Sequence, residues 1–455
     1  MKKLWKFKML VMAVMLVMTR VPFCFGAVSP EEAAKLGTTL TGVGAEMAGN
    51  KEGTIPPYIG GLTKAPASYK PGSGIYTDPF ATEKPLFSIN AQNMAQYADK
   101  LTEGTKALMK RFPTYRIDVY KTHRTVAYPD IVIKNTSKAA VKAKTTNGGL
   151  TVKDAHAAIP FPIPKDGYEA MWNHMLRYMG RADDLKWESI TVDSSGKVLV
   201  TLAATVHEEY PYYDEDPARP DADLCWRAMW FVHGPIRRVG EAGMIDDSIN
   251  PYNKPRVAYQ YLPGQRRIKL APEIGFDTPS FTTSGAATYD QVKMYNGSME
   301  RYNMKLIGKR EIYVPYNTYR AFCQVKREEL YGPKHLNPDH VRWELHRVWV
   351  VEGNLKPGMR HIYYKRTFYL EEDSWSLSAI ENYDKIGNLF TVDFGHQTPL
   401  YDVPAPFSNF AISYNLISNC YSGDYWLGPD GFIRRSEVWP LRQWSPSRLA
   451  GAGVR

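Results

Sequence analysis

The chain has 455 residues, 44% of them hydrophobic and 23% charged, enough to bury a large core. Its formal net charge is +10, but residues 1–26 hold Lys2, Lys3, Lys6, Lys8 and Arg20 and no acid, so the remainder carries only +5. Those remaining charges are scattered, without the basic stripe that a phosphate backbone requires, which excludes nucleic acid as a partner.

The first residues read as a targeting segment. MKKLWKFK is a cationic start, Met9–Met18 is an apolar run, and Pro22 and Cys24-Phe25-Gly26 precede Ala27 in the manner of a cleavage site. The apolar run is shorter than the roughly 20 residues a membrane span needs, and no second long run follows. The expectation is a signal peptide over 1–26 and a secreted, soluble protein after it. Three cysteines then remain, Cys225, Cys323 and Cys420, none in a CxxC pair. An oxidising compartment allows one disulfide with an odd thiol, and three buried free thiols are the alternative. No metal-ligand spacing is present, so no metal and no cofactor are expected.

Residues 27–84 are dense in Pro and Gly, which forbids long regular elements and predicts an extended arm with a short helix at Pro30–Gly37. Asn90–Phe112 reads as a helix with Met94, Tyr97, Leu101 and Leu108 near one face. Phe112–Asp130 reads as extended. In IPFPIPKDGYEAMWNHMLRYMG, Ile159–Gly180, three prolines stop before a helix. Asp166 is its cap, Glu169 completes a capping box and Gly180 ends it. Trp172, Met175, Leu176 and Met179 share its apolar face, and Glu169, Asn173 and Arg177 form the opposite stripe.

Beyond Trp187 the period becomes two. KVLVTLAATVH, VRWELHRVWVV, HIYYKRTFYL and SWSLSAIENY read as strands. In the second, Val341, Trp343, Leu345, Trp349 and Val351 share a face with Arg347. In the third, Ile362, Tyr364, Phe368 and Leu370 share one with Arg366. Lys356-Pro357-Gly358 suits a type II turn and Asp384–Asn388 a hairpin loop, so neighbouring strands run antiparallel. Pro272–Gln291 is a long Ser/Thr/Gly loop, a length usually either functional or disordered. WSPSRLAGAGVR ends the chain with a small helix. The architecture expected is mainly β: one large, curved antiparallel sheet with a few helices on its concave side.

Several blocks carry a resemblance. AVSPEEAAKLGTTLTGVGAEMAGNKEGTIPPYIGGLTK, DPFATEKPLFSINAQNMAQYADKL, IPFPIPKDGYEAMWNHMLRYMG, YLPGQRRIKLAPEIGFDTP and WVVEGNLKPGMRHIYYKRTFYLEEDSW, in that order, resemble the secreted proteobacterial proteins of domain-of-unknown-function family 1329. The resemblance covers essentially all of the chain after residue 26. It implies a fold similar to the periplasmic lipoprotein carriers, LolA-like: an unclosed antiparallel half-barrel with an apolar concave face under helices. The domain plan is then 1–26 signal peptide, 27–110 arm plus helix, and 111–455 half-barrel. The resemblance further implies a periplasmic place, in some cases peripheral to the outer membrane, beside an exporter of the resistance-nodulation-division type and an outer-membrane partner.

Under that fold, Trp172, Met175, Leu176, Met179, Trp343, Trp349, Tyr364 and Phe368 are the candidate lining of a pocket for a lipid, acylated or polycyclic molecule. The competing reading of each is packed core. Arg177, Arg347 and Arg366 are candidates to hold a polar end, because a guanidinium offers forked donors; a salt bridge, such as Arg177 with Glu169, is the alternative. His207–Cys225 concentrates acids but Pro211 stands where HExxH needs its second His, so a solvated acidic loop is expected. RRIKL, Arg266–Leu270, and Arg237-Arg238 read as a solvated strand edge. No GxSxG, Walker A, GxGxxG after a strand or SxxK set occurs, and Glu371, Glu372 and Asp373 sit on one turn rather than across a sugar-sized gap. The functional expectation is a monomeric, non-enzymatic carrier of a hydrophobic ligand. The alternative is an adaptor or sensor that uses the half-barrel as a protein-interaction scaffold.

Overall fold

The computed structural model describes residues 27–451 apart from Pro217, so the expected signal peptide lies outside the described residues. Among the described residues eighteen strands run in order, the first nine being β1 Phe87–Ile89, β2 Ile117–Val119, β3 Lys144–Thr146, β4 Thr151–Lys153, β5 Ala182–Val192, β6 Val198–Glu209, β7 Leu224–Gly234, β8 Ala242–Ser248 and β9 Val257–Leu262. They continue as β10 Arg267–Leu270, β11 Tyr302–Pro315, β12 Arg342–Leu355, β13 Lys365–Glu371, β14 Leu377–Tyr383, β15 Leu389–Gly395, β16 Ala411–Asn415, β17 Cys420–Trp426 and β18 Phe432–Arg435.

β3 and β4 form a separate hairpin; the other 16 strands make one sheet. Its backbone order is β12-β13-β14-β15-β16-β17-β5-β6-β7-β8-β9-β10, antiparallel throughout. β11 pairs along the whole of β12, and β18 continues β17 alongside β5. Only the short β2 runs parallel, at Arg342 and Trp343 of β12. The sheet is not closed into a barrel, as expected. The anticipated turns are in place: the Met359 amide donates to Lys356 O (3.1 Å) around Gly358 at φ +80°, and Asp384 donates to Asn388 O (2.9 Å) around Gly387 at φ +87°.

Alternation predicts one wet face, yet β12 is buried on both from Arg342 to Val348. Other parts of the chain cover both faces of the sheet. One face is covered by the helix Glu103–Arg111, where the Gly104 amide donates to Glu381 Oε1 (2.7 Å), and by the C-terminal helix Ser447–Gly451 on β8–β10. The other, here the inner face, is covered by the helix Gly167–Met175 and by residues 272–301.

Helix boundaries differ from the periodicity. Asn90–Phe112 is not one helix: a 3-10 stretch Met94–Lys100 breaks at Leu101, and a new helix starts under a Thr102 cap whose hydroxyl accepts from the Thr105 amide (3.0 Å). The first short helix spans only Pro30–Ala33, with a capping box between Ser29 and Glu32. The Trp172 helix ends at Met175 rather than Gly180, because side chains take its last carbonyls: Arg177 Nη1 donates to His174 O (2.6 Å) and the Tyr213 hydroxyl to Leu176 O (2.5 Å). At its start Asp166 caps the Glu169 amide as expected, but Glu169 accepts from the Lys165 amide (2.7 Å) instead of closing the box. The helix Asp130–Ala140 has no counterpart in the sequence reading; its Ile-Val-Ile and Asn-Thr-Ser runs are poor helix formers, and burial of Val132, Thr136 and Ala139 holds it.

Gly167 is required by contact rather than by φ. A Cβ there would lie 2.6 Å from Met304 C and 2.7 Å from Lys305 N, both main-chain atoms of β11. Gly167→Ala should therefore cost about 1–3 kcal/mol. A urea titration should show a lower midpoint with unchanged slope.

Candidate functional site

The register places a polar strip and an apolar wall on the same inner face. Directly paired residues share a face. Ile380, Asp393, Ser413, Ser422 and Thr191 are linked in this way across β14, β15, β16, β17 and β5, and Arg366, Asn382 and Thr391 across β13, β14 and β15. Towards β8 the face becomes apolar: Trp187, Leu202, Val206, Trp226, Trp230 and Ile245 line a cavity of about 60 Å³. Its cover comes from residues 272–292, chiefly Ile274, Phe281, Tyr289 and Val292. A second, wider cavity of about 470 Å³ adjoins it, sharing Arg256 and Ile274, with Trp172, Met175, Phe276 and Arg301 in its wall.

The covering segment has little regular structure, only 3-10 turns at Tyr289–Gln291 and Met299–Arg301. It is held by side chains. Asp290 Oδ2 accepts from Arg366 Nη1 (2.5 Å) and faces His361 Nε2 (3.2 Å). Gln291 Nε2 donates to Asp393 Oδ2 (2.8 Å), Lys293 Nζ to Glu208 Oε2 (2.9 Å), and Thr191 Oγ1 to Thr283 O (2.9 Å). Arg238 Nη1 donates to Phe281 O (3.1 Å). Four non-glycine residues of the segment, Phe276, Ser284, Lys293 and Met294, have φ between 49° and 73°, the left-handed region, and each costs on the order of 1 kcal/mol.

Burial sets the charges here. It raises the Asp290 carboxyl, but Arg366 and His361 outweigh it and hold the group well below the usual carboxylate range. Burial pushes Asp393 up to about 6 against the hydrogen bonds of Gln291 and Asn382. It pulls Lys293 down to about 8 against the attraction of Glu208.

The residues singled out from sequence are not gathered in one pocket. Trp172 and Met175 line the wider cavity, and Trp172 also donates from Nε1 to Gly149 O (2.8 Å). Leu176 and Met179 are core. Trp343 packs edge-on against Phe394 (5.2 Å), Trp349 stacks on Trp375 (6.2 Å) under Lys309, and Phe368 meets Tyr295 (5.3 Å). Tyr364 is 39% exposed, just before β13 begins.

Of the arginines, Arg347 is a salt bridge, to Glu372 (3.0 Å), with Ala48 O of the arm as its second partner. Arg177 does not pair with Glu169; it bonds His174 O and Asn409 Oδ1 (3.3 Å), and burial pulls it down to about 10. Arg366 alone faces the covering segment. Sequence reasoning missed Trp187, Trp226 and Trp230, although Trp226 and Trp230 keep the even spacing of a strand in LCWRAMWFVHG.

Other expectations need correction. His207–Cys225 is no solvated acidic loop: Glu208 and Glu209 are buried, and Asp214 and Asp221 are both bonded to Arg219 (2.8 and 2.6 Å). All three cysteines among the described residues are free, Cys225 and Cys323 buried and Cys420 half-buried. RRIKL does lie on the edge strand β10, largely exposed.

On the outer face Glu371 and Asp373 enter a buried ionic network. Arg124 grips Asp373 with two bonds (2.8 and 2.7 Å), Arg342 bonds Glu344 (2.5 Å), and His346 lies between Glu371 (3.2 Å) and Glu344 (3.3 Å). Ligand atoms of His346, Glu371 and Asp373 lie within 4.8 Å of one another, but both His346 nitrogens and both Asp373 oxygens are already engaged, so the group reads as ion pairs.

Residues 88–448 match the sequence profile described as Protein of unknown function (DUF1329). The chain belongs to this family. A relative from Pseudomonas aeruginosa, uncharacterized protein PA3922, is 40% identical over 414 residues, 90% of each chain. Among solved structures, a putative outer membrane lipoprotein-sorting protein domain from Vibrio parahaemolyticus is 12% identical, covering 62% of this chain and 98% of that one, with a TM-score of 0.43. A DUF1329 family protein from Desulfovibrio piger is 11% identical, covering 59% and 91%, with a TM-score of 0.38.

The outer network of this DUF1329 member yields a pH test. Burial opposes a charge on His346, but hydrogen bonds to Glu344 and Glu371 outweigh it and raise its pKa to about 9. The stabilisation from its charge is complete below the unfolded value of about 6.5 and is lost as pH rises through the folded one. The urea midpoint should fall between pH 6.5 and 9, and His346→Gln should flatten that fall; an equal slope in the variant would rule out a buried imidazolium.

Proposed function

We propose that this protein is a periplasmic carrier that takes a hydrophobic molecule, a lipid or an acylated or polycyclic compound, onto the inner face of β5–β8. The observation that carries the reading is the wall Trp187, Leu202, Val206, Trp226, Trp230 and Ile245, covered by an irregular segment rather than by a packed helix or sheet. An apolar wall of this kind is ordinarily sealed by regular elements, whose backbone groups satisfy one another. Here the seal is held by side chains and can leave as a unit.

The role is binding without chemistry. A ligand displaces Phe281 and Val292 from the wall, and affinity comes from buried apolar area, about 25 cal/mol per Å² before ordering costs. Trp172 and Met175 form the mouth, in the wider cavity; Trp343, Trp349 and Phe368 act as core. An inner-membrane exporter and an outer-membrane protein would load and unload the carrier. A second reading, an adaptor whose half-barrel is only a scaffold, is favoured by one fact: the apolar cavity left under the segment is only about 60 Å³.

The two readings separate on purification from a native periplasm without detergent, followed by solvent extraction and mass spectrometry. A carrier yields a hydrophobic molecule in stoichiometric amount. An extract still empty after exposure to a total envelope lipid mixture leaves the adaptor. Trp230→Glu should cut ligand retention at least tenfold while the variant still unfolds cooperatively, since Trp230 is only half-buried.

A further inference from the structure

The segment over the inner face is amphipathic in the same sense as the face itself. Its apolar side chains, Phe281 and Val292, lie on the tryptophan wall, and its acid, Asp290, lies on Arg366 at the polar strip. Arg366 is fully buried and ringed by Tyr295 (5.0 Å), Tyr363 (5.2 Å) and Phe368 (5.3 Å). Asp290 engages it through Nη1 only: among the described residues Nε and Nη2 have no hydrogen-bond partner and lie among the aromatic rings. Asn382, paired across the ladder with Arg366, and Asp393 each keep one buried oxygen without a partner, Oδ1 in both cases. A buried guanidinium with two idle donors has unspent capacity for a forked anion, which binds it better than a single oxygen does.

The geometry points to a ligand of stated chemistry: a long-chain amphiphile with one anionic oxygen group, carboxylate or phosphate, for which residues 280–293 are the built-in stand-in. This rests on the carrier reading and adds the substrate class. The anion replaces Asp290 on Arg366 and uses the idle Nε and Nη2; the chain replaces Phe281 and Val292 on the tryptophan wall. The left-handed backbone at Ser284 and Lys293 relaxes as the segment leaves, offsetting part of the lost contacts.

The test titrates the periplasmically expressed protein with palmitate, with palmitoyl lysophosphatidic acid and with hexadecanol, reading tryptophan fluorescence. The expected result is at least tenfold tighter binding of palmitate or the lysophosphatidic acid than of the uncharged alcohol. The arm that binds tighter tells a free fatty acid from a phospholipid-derived ligand. Arg366→Gln should erase the preference, and Asp290→Asn, which removes the internal competitor, should tighten the anion several-fold beyond any gain for hexadecanol. Amide exchange over 280–293 should speed up in the anion complex of the unaltered protein, which needs no variant to fold. Equal binding of acid and alcohol, or undiminished protection of 280–293 in the complex, overturns the assignment and leaves a hydrophobic carrier. Binding of none of the three, with an empty native extract, removes the carrier reading itself.

Discussion

A guanidinium cannot stay buried without an acceptor, and the partner of Arg366 stands on a segment that has almost no secondary structure of its own. Much of the inner face follows from that pairing. Asp290 fixes one end of the cover, Gln291 follows onto Asp393, and Lys293 reaches Glu208 on β6. With those anchors set, Phe281 and Val292 have no choice but the tryptophan wall. The same contacts that finish the core therefore specify how it is closed.

The curved open sheet was legible because it needs little more than alternation and turn chemistry. Lys356-Pro357-Gly358 and Asp384–Asn388 fix antiparallel neighbours by themselves. The helix ends were harder, since they depend on side chains far away in sequence: Tyr213 stops a helix that periodicity carries on to Gly180. The candidate site was legible in kind and not in membership. Arg366 on an apolar strand and the long loop over Pro272–Gln291 were each visible, but nothing local says that one meets the other across 76 residues. Trp343 and Trp349 share the alternation of a lining residue with that of a core residue, and the pattern alone does not separate them. Only the neighbours Phe394 and Trp375 do.

The buried charges divide by face. On the outer face Arg124, Arg342 and His346 meet Asp373, Glu344 and Glu371 in nearly saturated contacts, a closed arrangement that welds the N-terminal chain to β12 and the turn after β13. On the inner face the matching is incomplete, with idle atoms on Arg366, Asn382 and Asp393. Saturated networks rigidify; unsaturated ones are costly unless something else completes them. The contrast within one sheet separates a saturated seam from an unsaturated one.

The three free thiols leave the described fold held by packing and polar contacts alone. Nothing in the described fold is cross-linked by sulfur, although the chain has cysteines to spare. A reductant therefore has no disulfide to break among the described residues.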